Sequence, residues 1–396
     1  MRPRRALTAR GTGALLAGLG CVIAANLVGA PILVYIGVLL VAVTLIALAA
    51  VRLPRRRGSV TRQISTDLLT VSETSLVTVR FDLRALRAPR GMWRDVLPDA
   101  VVGDAAGEFP GEDGRLCYPI TGVRRGVWAI GPLLLRTVDP FGLAQREQAF
   151  GDTRTIIVVP EVVALAPLAA KVGASGGTAH TASSRLGQGT DNLSPRAYAP
   201  GDSMRRMHWR ATAHRGQLMV RQEEEESSPD ALVIFDRSVT RWAKTGAEPD
   251  PAFESAVSLC ASVAIHLMHE GYGVDVIDSM GGALGTLRGH EEDREELLIA
   301  LARVSPHGEA RDTTTLVGDT PPGPLIYVTG TMTTQDADSL RAAGAALAML
   351  FATGMDADAA HAASRRGWRV AALGADIAEA WSDALPERPG VGDVSR

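Results

Sequence analysis

The 396-residue chain carries only three cysteines, Cys21, Cys117 and Cys260. Their spacing matches no metal-binding pattern and Cys21 lies in an apolar run, which argues against a disulfide framework and predicts free thiols. Lysine is almost missing, with Lys171 and Lys244 its two occurrences. Arginine therefore carries nearly all the positive charge, in the planar form that suits bidentate contacts. A net charge of −3 gives no bulk excess of positive charge, so nucleic-acid binding by charge alone is excluded. There is no P-loop pattern, no H-E-x-x-H and no C-x-x-C, which removes the phosphate cradle, the zinc-peptidase helix and the dithiol motif from consideration.

Long apolar runs, by contrast, are present. Residues 11–28 are apolar or small except for Thr12 and Asn26, and residues 31–51 except for Tyr35 and Thr44. Each run reaches the roughly 20 residues that a bilayer core requires. Arg2, Arg4, Arg5 and Arg10 precede or open the first, and Arg52, Arg55, Arg56 and Arg57 follow the second, while the turn between them is uncharged. The positive-inside rule then predicts a transmembrane hairpin over residues 1–57, with both flanks cytoplasmic. That makes a multi-pass cell-membrane protein whose soluble domains face the cytoplasm. A cleaved signal peptide is the competing reading. A second full-length apolar run and the lack of a small-residue cleavage site weigh against it.

The length suffices for two or three domains. Residues 58–160 read as a β-sandwich-like domain: SLVTVRFDLR alternates, and RLCYPI, GVWAIGPLLLRTVD and TRTIIVVP are short runs split by Gly, Pro and Asp. Arg124, Arg125 and Trp128 stand at a tight strand entry. The stretch DPFGL, Asp139 to Leu143, reads as a turn whose Phe141 and Leu143 plug a core. Residues 161–228 read as a Gly/Ser/Thr-rich linker and a signature segment. Within the linker, Gly173 to Gly177 formally matches a nucleophile elbow around Ser175, but neither the strand nor the helix such an elbow needs flanks it.

The signature segment is RAYAPGDSMRRMHWRATAHRGQLMVRQEEEE, residues 196–226. Pro200-Gly201 predicts a turn, Asp202 an N-cap, residues 203–215 a helix and Gly216 its stop. A strand follows over residues 218–222 and ends in Glu223 to Glu226. Arg206 and Arg210 share a helix face, and Trp209 is expected to anchor the helix by burial. Arginines beside a helix N-terminus suit a carboxylate or phosphate. Pairing with Asp202 and the glutamates is the favoured alternative.

From residue 229 to 396 strand-like runs alternate with helical ones, which predicts a doubly wound parallel sheet. The runs are ALVIFD (231–236), 272–278, LIYVT (325–329), 348–352 and 368–373, with helices over 253–270, 291–303, 336–345 and 356–366. In such sheets ligands bind beyond the carboxyl ends of the strands.

Two stretches carry a resemblance. One is R-x-Y-x-x-G-D followed by R-x-x-x-W, formed by Arg196, Tyr198, Gly201, Asp202, Arg206 and Trp209, with Arg210 beside it. The other is RRGVWAIGPLLLRTVDPFGL, with Gly126, Gly131, Asp139, Pro140, Phe141, Gly142 and Leu143. Together they resemble the domain-of-unknown-function 58 family of bacterial membrane-associated proteins. The resemblance implies a von Willebrand A-like C-terminal domain and company with MoxR-type AAA+ ATPases, and it implies no reaction. Asp236-Arg237-Ser238-Val239-Thr240 resembles the D-x-S-x-S metal-ion-dependent adhesion motif of von Willebrand A domains. Asp236, Ser238 and Thr240 could offer oxygen ligands to Mg²⁺. The acid that this family places after the LIYVT strand is absent, since Thr329 and Gly330 stand there, and Arg237 adds a cation. Weak or no Mg²⁺ binding, and no other cofactor, is therefore expected. His266 and His269 lie one turn apart without a third ligand, and His208 and His214 fall on different helix faces.

These features predict a non-enzymatic interaction or assembly module, and the resemblance implies that it is an accessory partner of a MoxR-type ATPase. The alternatives are an envelope-associated hydrolase or transglutaminase accessory enzyme, against which the lack of a complete nucleophile–base set argues, and a metal-dependent carboxylate-binding module.

Overall fold

The structure is a computed structural model that describes residues 6–52, 59–66, 68–82, 91–108, 115–168, 193–197, 209–216, 218–223, 230–243, 250–309, 316, 323–342 and 345–385. It divides into two compact units: residues 1–162 with 295–305, and residues 163–294 with 306–396.

The first unit begins with two apolar helices, α1 (Ala9–Val28) and α2 (Pro31–Arg52). Thr8 caps α1 by accepting the Gly11 N–H. Gly29 ends it in the left-handed conformation (φ 68°), with its N–H on the Ala25 carbonyl, and Pro31 opens α2, where its missing N–H costs nothing. The helices meet along small residues. Gly11, Gly18 and Ala25 are buried on α1, and Gly37, Thr44 and Ala47 on α2. A Cβ at Gly37 would lie 2.6 Å from the Gly18 carbonyl oxygen, so the crossing needs glycine there. Small-residue seams of this kind pack helices where solvent supplies no hydrophobic drive. Leu16, Ile23, Leu27, Ile32, Tyr35, Leu39 and Ile46 point outward and exposed. Apolar surface of that extent is what a membrane-facing hairpin presents.

The rest of this unit is β structure. Its strands are β1 (Ser59–Ile64), β2 (Leu68–Thr70), β3 (Thr74–Asp82), β4 (Gly91–Asp95), β5 (Val101–Gly103), β6 (Ala106–Glu108), β7 (Arg115–Gly122), β8 (Gly126–Ile130), β9 (Leu133–Val138), β10 (Gln145–Phe150) and β11 (Arg154–Val159). They form three sheets, ordered β1-β3-β7-β5, β10-β9-β4-β6 and β2-β11-β8. Period-2 alternation is clear in β7, where Leu116, Tyr118 and Ile120 are buried between exposed neighbours. Leu69, Val79, Trp93, Ile130, Leu133 and Ile156 join them, so one core draws on all three sheets.

Both ends of the stretch from Arg124 to Leu143 have visible structural work. Arg124 stacks over Trp128 at 4.5 Å from the ring centroid. Arg125 donates to the carbonyls of Leu301 (3.1 Å) and Val304 (2.6 Å), the end of the helical stretch that belongs to this unit. In the turn after β9, the buried Asp139 carboxylate accepts the N–H groups of Phe141 and Ala144. Folding the turn back in this way leaves Phe141 at its tip, 67% exposed. Phe141 thus does not plug the core as its sequence context suggests, and Leu143 is only half-buried.

The second unit contains β12 (Leu193–Ala197), α3 (Trp209–Arg215), β13 (Met219–Glu223), β14 (Asp230–Phe235), α4 (Pro251–His269), β15 (Gly273–Asp278), β16 (Ala283–Leu287), the opening of α5 (Glu291–Arg303), β17 (Pro324–Met332), α6 (Thr334–Ser339), β18 (Leu347–Met355), α7 (Ala357–Arg365), β19 (Trp368–Ala372) and α8 (Ile377–Ala384). Strands β12 and β13 pair antiparallel, with Arg196 opposite Val220. The main sheet has the order β16-β15-β14-β17-β18-β19. All its pairings are parallel except that of the edge strand β16 with β15. The chain runs outward from β14 to one side, then returns to its other side at β17, so the strand order reverses between β14 and β17.

Helix α4 packs on β14, β15 and β17. It is the third helix long and apolar enough to cross a membrane. Here Phe253, Val257, Leu259, Cys260, Val263 and Leu267 bury it as a core helix, and Phe253 packs against Phe235 and Trp242. Residues 163–168 are not free linker: Val163 and Leu168 donate to Ser262 and Glu270 of this helix region, and the Ala166 carbonyl accepts the Trp381 indole. The helix read over residues 336–345 is the shorter α6, because Thr333 and Asp336 form a capping box that starts it earlier.

Candidate functional site

The central strand β14 is covered on both faces, and its run Ala231 to Phe235 is wholly buried. The chain leaves it at Asp236, which is 0% exposed, at the point where the strand order reverses. A buried carboxylate must be satisfied, and the sequence supplies every partner. One oxygen, Oδ1, accepts the Ser238 N–H (3.0 Å) and hydroxyl (2.7 Å). The other, Oδ2, accepts the Tyr327 hydroxyl (3.1 Å) and the Thr329 hydroxyl (3.0 Å), both from β17. The Arg241 Nε stands 3.4 Å from the same oxygen. Arg241 also pairs with both oxygens of Asp336 at the start of α6. Its guanidinium holds the Asp336 carboxyl well below the usual carboxylate range. Burial beside Asp236 raises the Tyr327 phenol well above its ordinary value, which keeps it a neutral donor.

A second pair adjoins. Arg237 Nη2 lies 2.8 Å from Asp278 Oδ2 at the end of β15, and Asp278 Oδ1 accepts the N–H groups of Met280 and Gly282. The loop over residues 237–243 is fixed by the Thr331 N–H on the Arg241 carbonyl (2.8 Å). Gly330 allows this approach, since a Cβ there would sit 2.0 Å from the Arg241 oxygen. Trp242 donates its indole N–H to the Asp236 carbonyl.

Of the three oxygen ligands proposed from sequence, Asp236 and Ser238 therefore come together, while Thr240 is exposed and its hydroxyl is not among the partners of Asp236. The guanidinium of Arg241 takes the place beside Asp236 that a cation would need. Among the described residues no group of three or more His, Cys, Asp and Glu side chains could hold a metal ion. His266 turns inward, edge-on to Trp381 at 5.5 Å and 3.2 Å from Glu270 Oε1, while His269 is exposed. Burial lowers the His266 pKa, with Glu270 opposing. His214 is exposed, and His208 lies outside the described residues.

The signature residues are less completely placed. Tyr198, Gly201, Asp202 and Arg206 lie outside the described residues, as do Ser175 and Glu224 to Glu226. Arg196 is in β12 and Arg210 in α3. Gly216 ends α3 at φ 67° with its N–H on the Thr212 carbonyl, as its position in the sequence predicts. Trp209 is 69% exposed, which corrects the expectation that burial of its indole anchors the helix. It is the first described residue of α3.

Arg241, Asp278, Tyr327, Thr329 and Asp336 were not singled out from sequence. A signal existed: Asp278 and Thr329 stand at carboxyl ends of apolar strand runs, as Asp236 does, and polar residues at those ends converge in a doubly wound sheet.

An α/β unit with a polar cluster at the reversal of its strand order, a β unit and an apolar two-helix hairpin together define a candidate membrane-associated protein with an α/β unit of doubly wound type. The chain belongs to the family described as "Protein of unknown function DUF58", whose family model matches residues 194–395. A relative from Bacillus subtilis (strain 168), "Uncharacterized protein YeaD", is 25% identical over 158 residues, 40% of this chain. The match spans 37% of that relative's length. Among solved structures, a conjugative transposon lipoprotein from Bacteroides eggerthii matches 24% of this chain and 95% of its own at 10% identity and a TM-score of 0.15. A Bacteroides thetaiotaomicron lipoprotein matches 24% of this chain and 79% of its own at 15% identity and a TM-score of 0.16. Similarities this low support no structural conclusion.

Proposed function

We propose that the chain is a membrane-anchored interaction or assembly module, with α1 and α2 as the anchor, both soluble parts cytoplasmic, and a MoxR-type AAA+ ATPase as the partner. The observation that carries this reading is the cluster around Asp236. It stands where doubly wound sheets bind their ligands, yet its groups are locked into one another. Ser238 is its candidate nucleophile, and Ser238 is fully buried with its hydroxyl on Asp236. A nucleophile needs an open path to substrate, and this serine is fully buried. The exposed Val239 and Thr240 beside it give the cluster a rigid surface for another protein. The sheet order and the acid–x–serine loop after its central strand support a von Willebrand A-like reading of this unit. The common core of the three sheets supports a sandwich-like reading of the other.

The test uses the full chain in lipid nanodiscs and the purified MoxR-type ATPase from the same genome, with ATP or a non-hydrolysable analogue. Saturable capture that Val239→Asp abolishes, at unchanged melting temperature, is the expected result. Turnover of an ester or amide substrate by the chain alone, lost in one point variant that still folds, would overturn the reading in favour of the enzyme alternative. A reporter fused to the C-terminus that is active only outside the cytoplasm would overturn the topology.

A further inference from the structure

We propose that the Asp139–Leu143 turn is a third membrane anchor, which sets Phe141 into the interfacial layer of an anionic bilayer beside the ends of the two helices. The inference rests on the reading of α1 and α2 as membrane spans. Its evidence is a set of bonds within the first unit. The Thr8 N–H donates to the Leu143 carbonyl (3.0 Å) and the Gln145 N–H to the Ala6 carbonyl (2.8 Å). Leu7 and Ala144 form an antiparallel bridge. The Thr8 hydroxyl, which caps α1, also donates to the Gly142 carbonyl at 2.6 Å. Gly11 on the first turn of α1 is pressed so close that a Cβ would lie 2.0 Å from the Leu143 oxygen. The same segment reaches the other helix: Arg146 Nη1 donates to the Arg52 carbonyl at 3.1 Å, at the end of α2.

Residues 142–146 thus tie together the two helix ends that the arginine clusters flank. The turn is fixed at the level where each span leaves the hydrocarbon. At that level an exposed phenylalanine faces the headgroup region, and there an aromatic side chain gains by partial burial. Inside the turn, Asp139 has its carboxylate engaged by the Phe141 and Ala144 N–H groups, so Phe141 is held at the tip with most of its ring exposed. The charges nearby complement anionic lipid. Arg10 approaches Gly142, its Nη1 3.9 Å from where a Cβ would be, and Arg52 and Arg146 lie at the α2 end. Juxtamembrane arginines of this kind attract acidic headgroups.

The experiment places a nitroxide on Phe141→Cys in the full chain, with Cys21→Ala and Cys117→Ser. Cys260 can stay, because its thiol is fully buried and pushed up to about 12, which leaves no thiolate to label. The protein is reconstituted in phosphatidylglycerol-containing nanodiscs, and collision with oxygen is compared with collision with a water-soluble nickel chelate. A second variant, Leu39→Cys, reports from the exposed side of α2. The expected result is a label at residue 141 that is shielded from nickel several-fold relative to free label, at a depth shallower than residue 39. A label at 141 as open to nickel as free label, with residue 39 deep, overturns the anchor and leaves the spans standing. Nickel access at both positions overturns the anchor together with the membrane reading. A Phe141→Trp variant in the same discs, quenched by lipids brominated near the headgroup but not by those brominated at the chain end, would support the same placement independently.

Discussion

Among the described residues two buried arginine–aspartate networks stand out, one in each unit, and they differ in closure. In the β unit, Arg62 grips Asp95 with two bonds of 2.7 and 2.8 Å, Tyr118 donates to the same carboxylate at 2.6 Å, and Arg62 donates again to the Asp152 carbonyl. All three side chains are buried, and the set lies among core residues. In the α/β unit, Asp236 is equally buried, but the arginines that serve it and Asp278 keep about a fifth of their side chains exposed (Arg241 19%, Arg237 21%). The first network is sealed and serves the fold. The second has one side toward solvent, at the position where such folds meet their ligands. Burial of charge alone therefore does not separate the two; the accessible face at the strand-order reversal is what makes the second network the candidate site.

The comparison can be broken most sharply at the sealed network. Asp95→Ala leaves the Arg62 charge unpaired inside a core, which costs about 3–5 kcal/mol. Equilibrium unfolding of the full chain in detergent would measure it, and a loss under about 1 kcal/mol would mean that water reaches the pair. The double variant Arg62→Met with Asp95→Leu is expected to lose less than either single change, because no orphaned charge remains.

A smaller effect is expected at the open network. Arg241→Ser removes the cation but leaves Asp236 its three side-chain donors, Ser238, Tyr327 and Thr329, so the loss is about 2 kcal/mol. With the guanidinium gone, millimolar Mg²⁺ should raise the melting temperature of this variant and leave the wild type unchanged. A Mg²⁺-dependent rise in the wild type would contradict the assignment of Arg241 to the cation position.

The pH responses come last in size. The Asp336 carboxyl is depressed in the folded state by Arg241, so its contribution is full above the unfolded carboxylate value of about 4 and is lost as pH falls through the lower folded value. Arg241→Ser should remove that acid-side slope. His266 is also depressed, by burial, which means the folded state prefers the neutral ring. Its contribution is full above about 6.5 and declines as pH falls below that. Unfolding titrated from pH 8 to 5 should flatten in His266→Gln, and an unchanged slope would contradict the inward placement of the ring.

Much of this was legible beforehand, for physical reasons that differ by element. The two apolar helices were readable because a bilayer demands length and apolarity together, and α1 and α2 match the two runs closely. Helix α5 falls on residues 291–303 as read, because three acids open it and an arginine closes it. The edge strand β16 was missed: Ala283 to Leu287 includes Gly285 and has no alternation, and only pairing with β15 makes it a strand. Phe141 and Trp209 were both read as buried because large aromatics usually are. Phe141 instead stands at the tip of the turn between β9 and β10 and Trp209 on the outside of α3, both mostly exposed. At the candidate site, Asp236 and Ser238 were found because they lie together in sequence. Tyr327 and Thr329 were missed because only the parallel pairing of β14 with β17 brings them to Asp236, and Asp336 because it joins the cluster through Arg241.

The central claim, that the open network and not the sealed unit presents the partner surface, is tested by capture of the MoxR-type ATPase on nanodisc-embedded full chain. Thr240→Arg at the open network is compared with Met92→Arg, at a side chain 54% exposed on the β unit, both at wild-type melting temperature. The account predicts that Thr240→Arg loses capture and Met92→Arg keeps it. Equal capture by both, or loss with Met92→Arg alone, would contradict it.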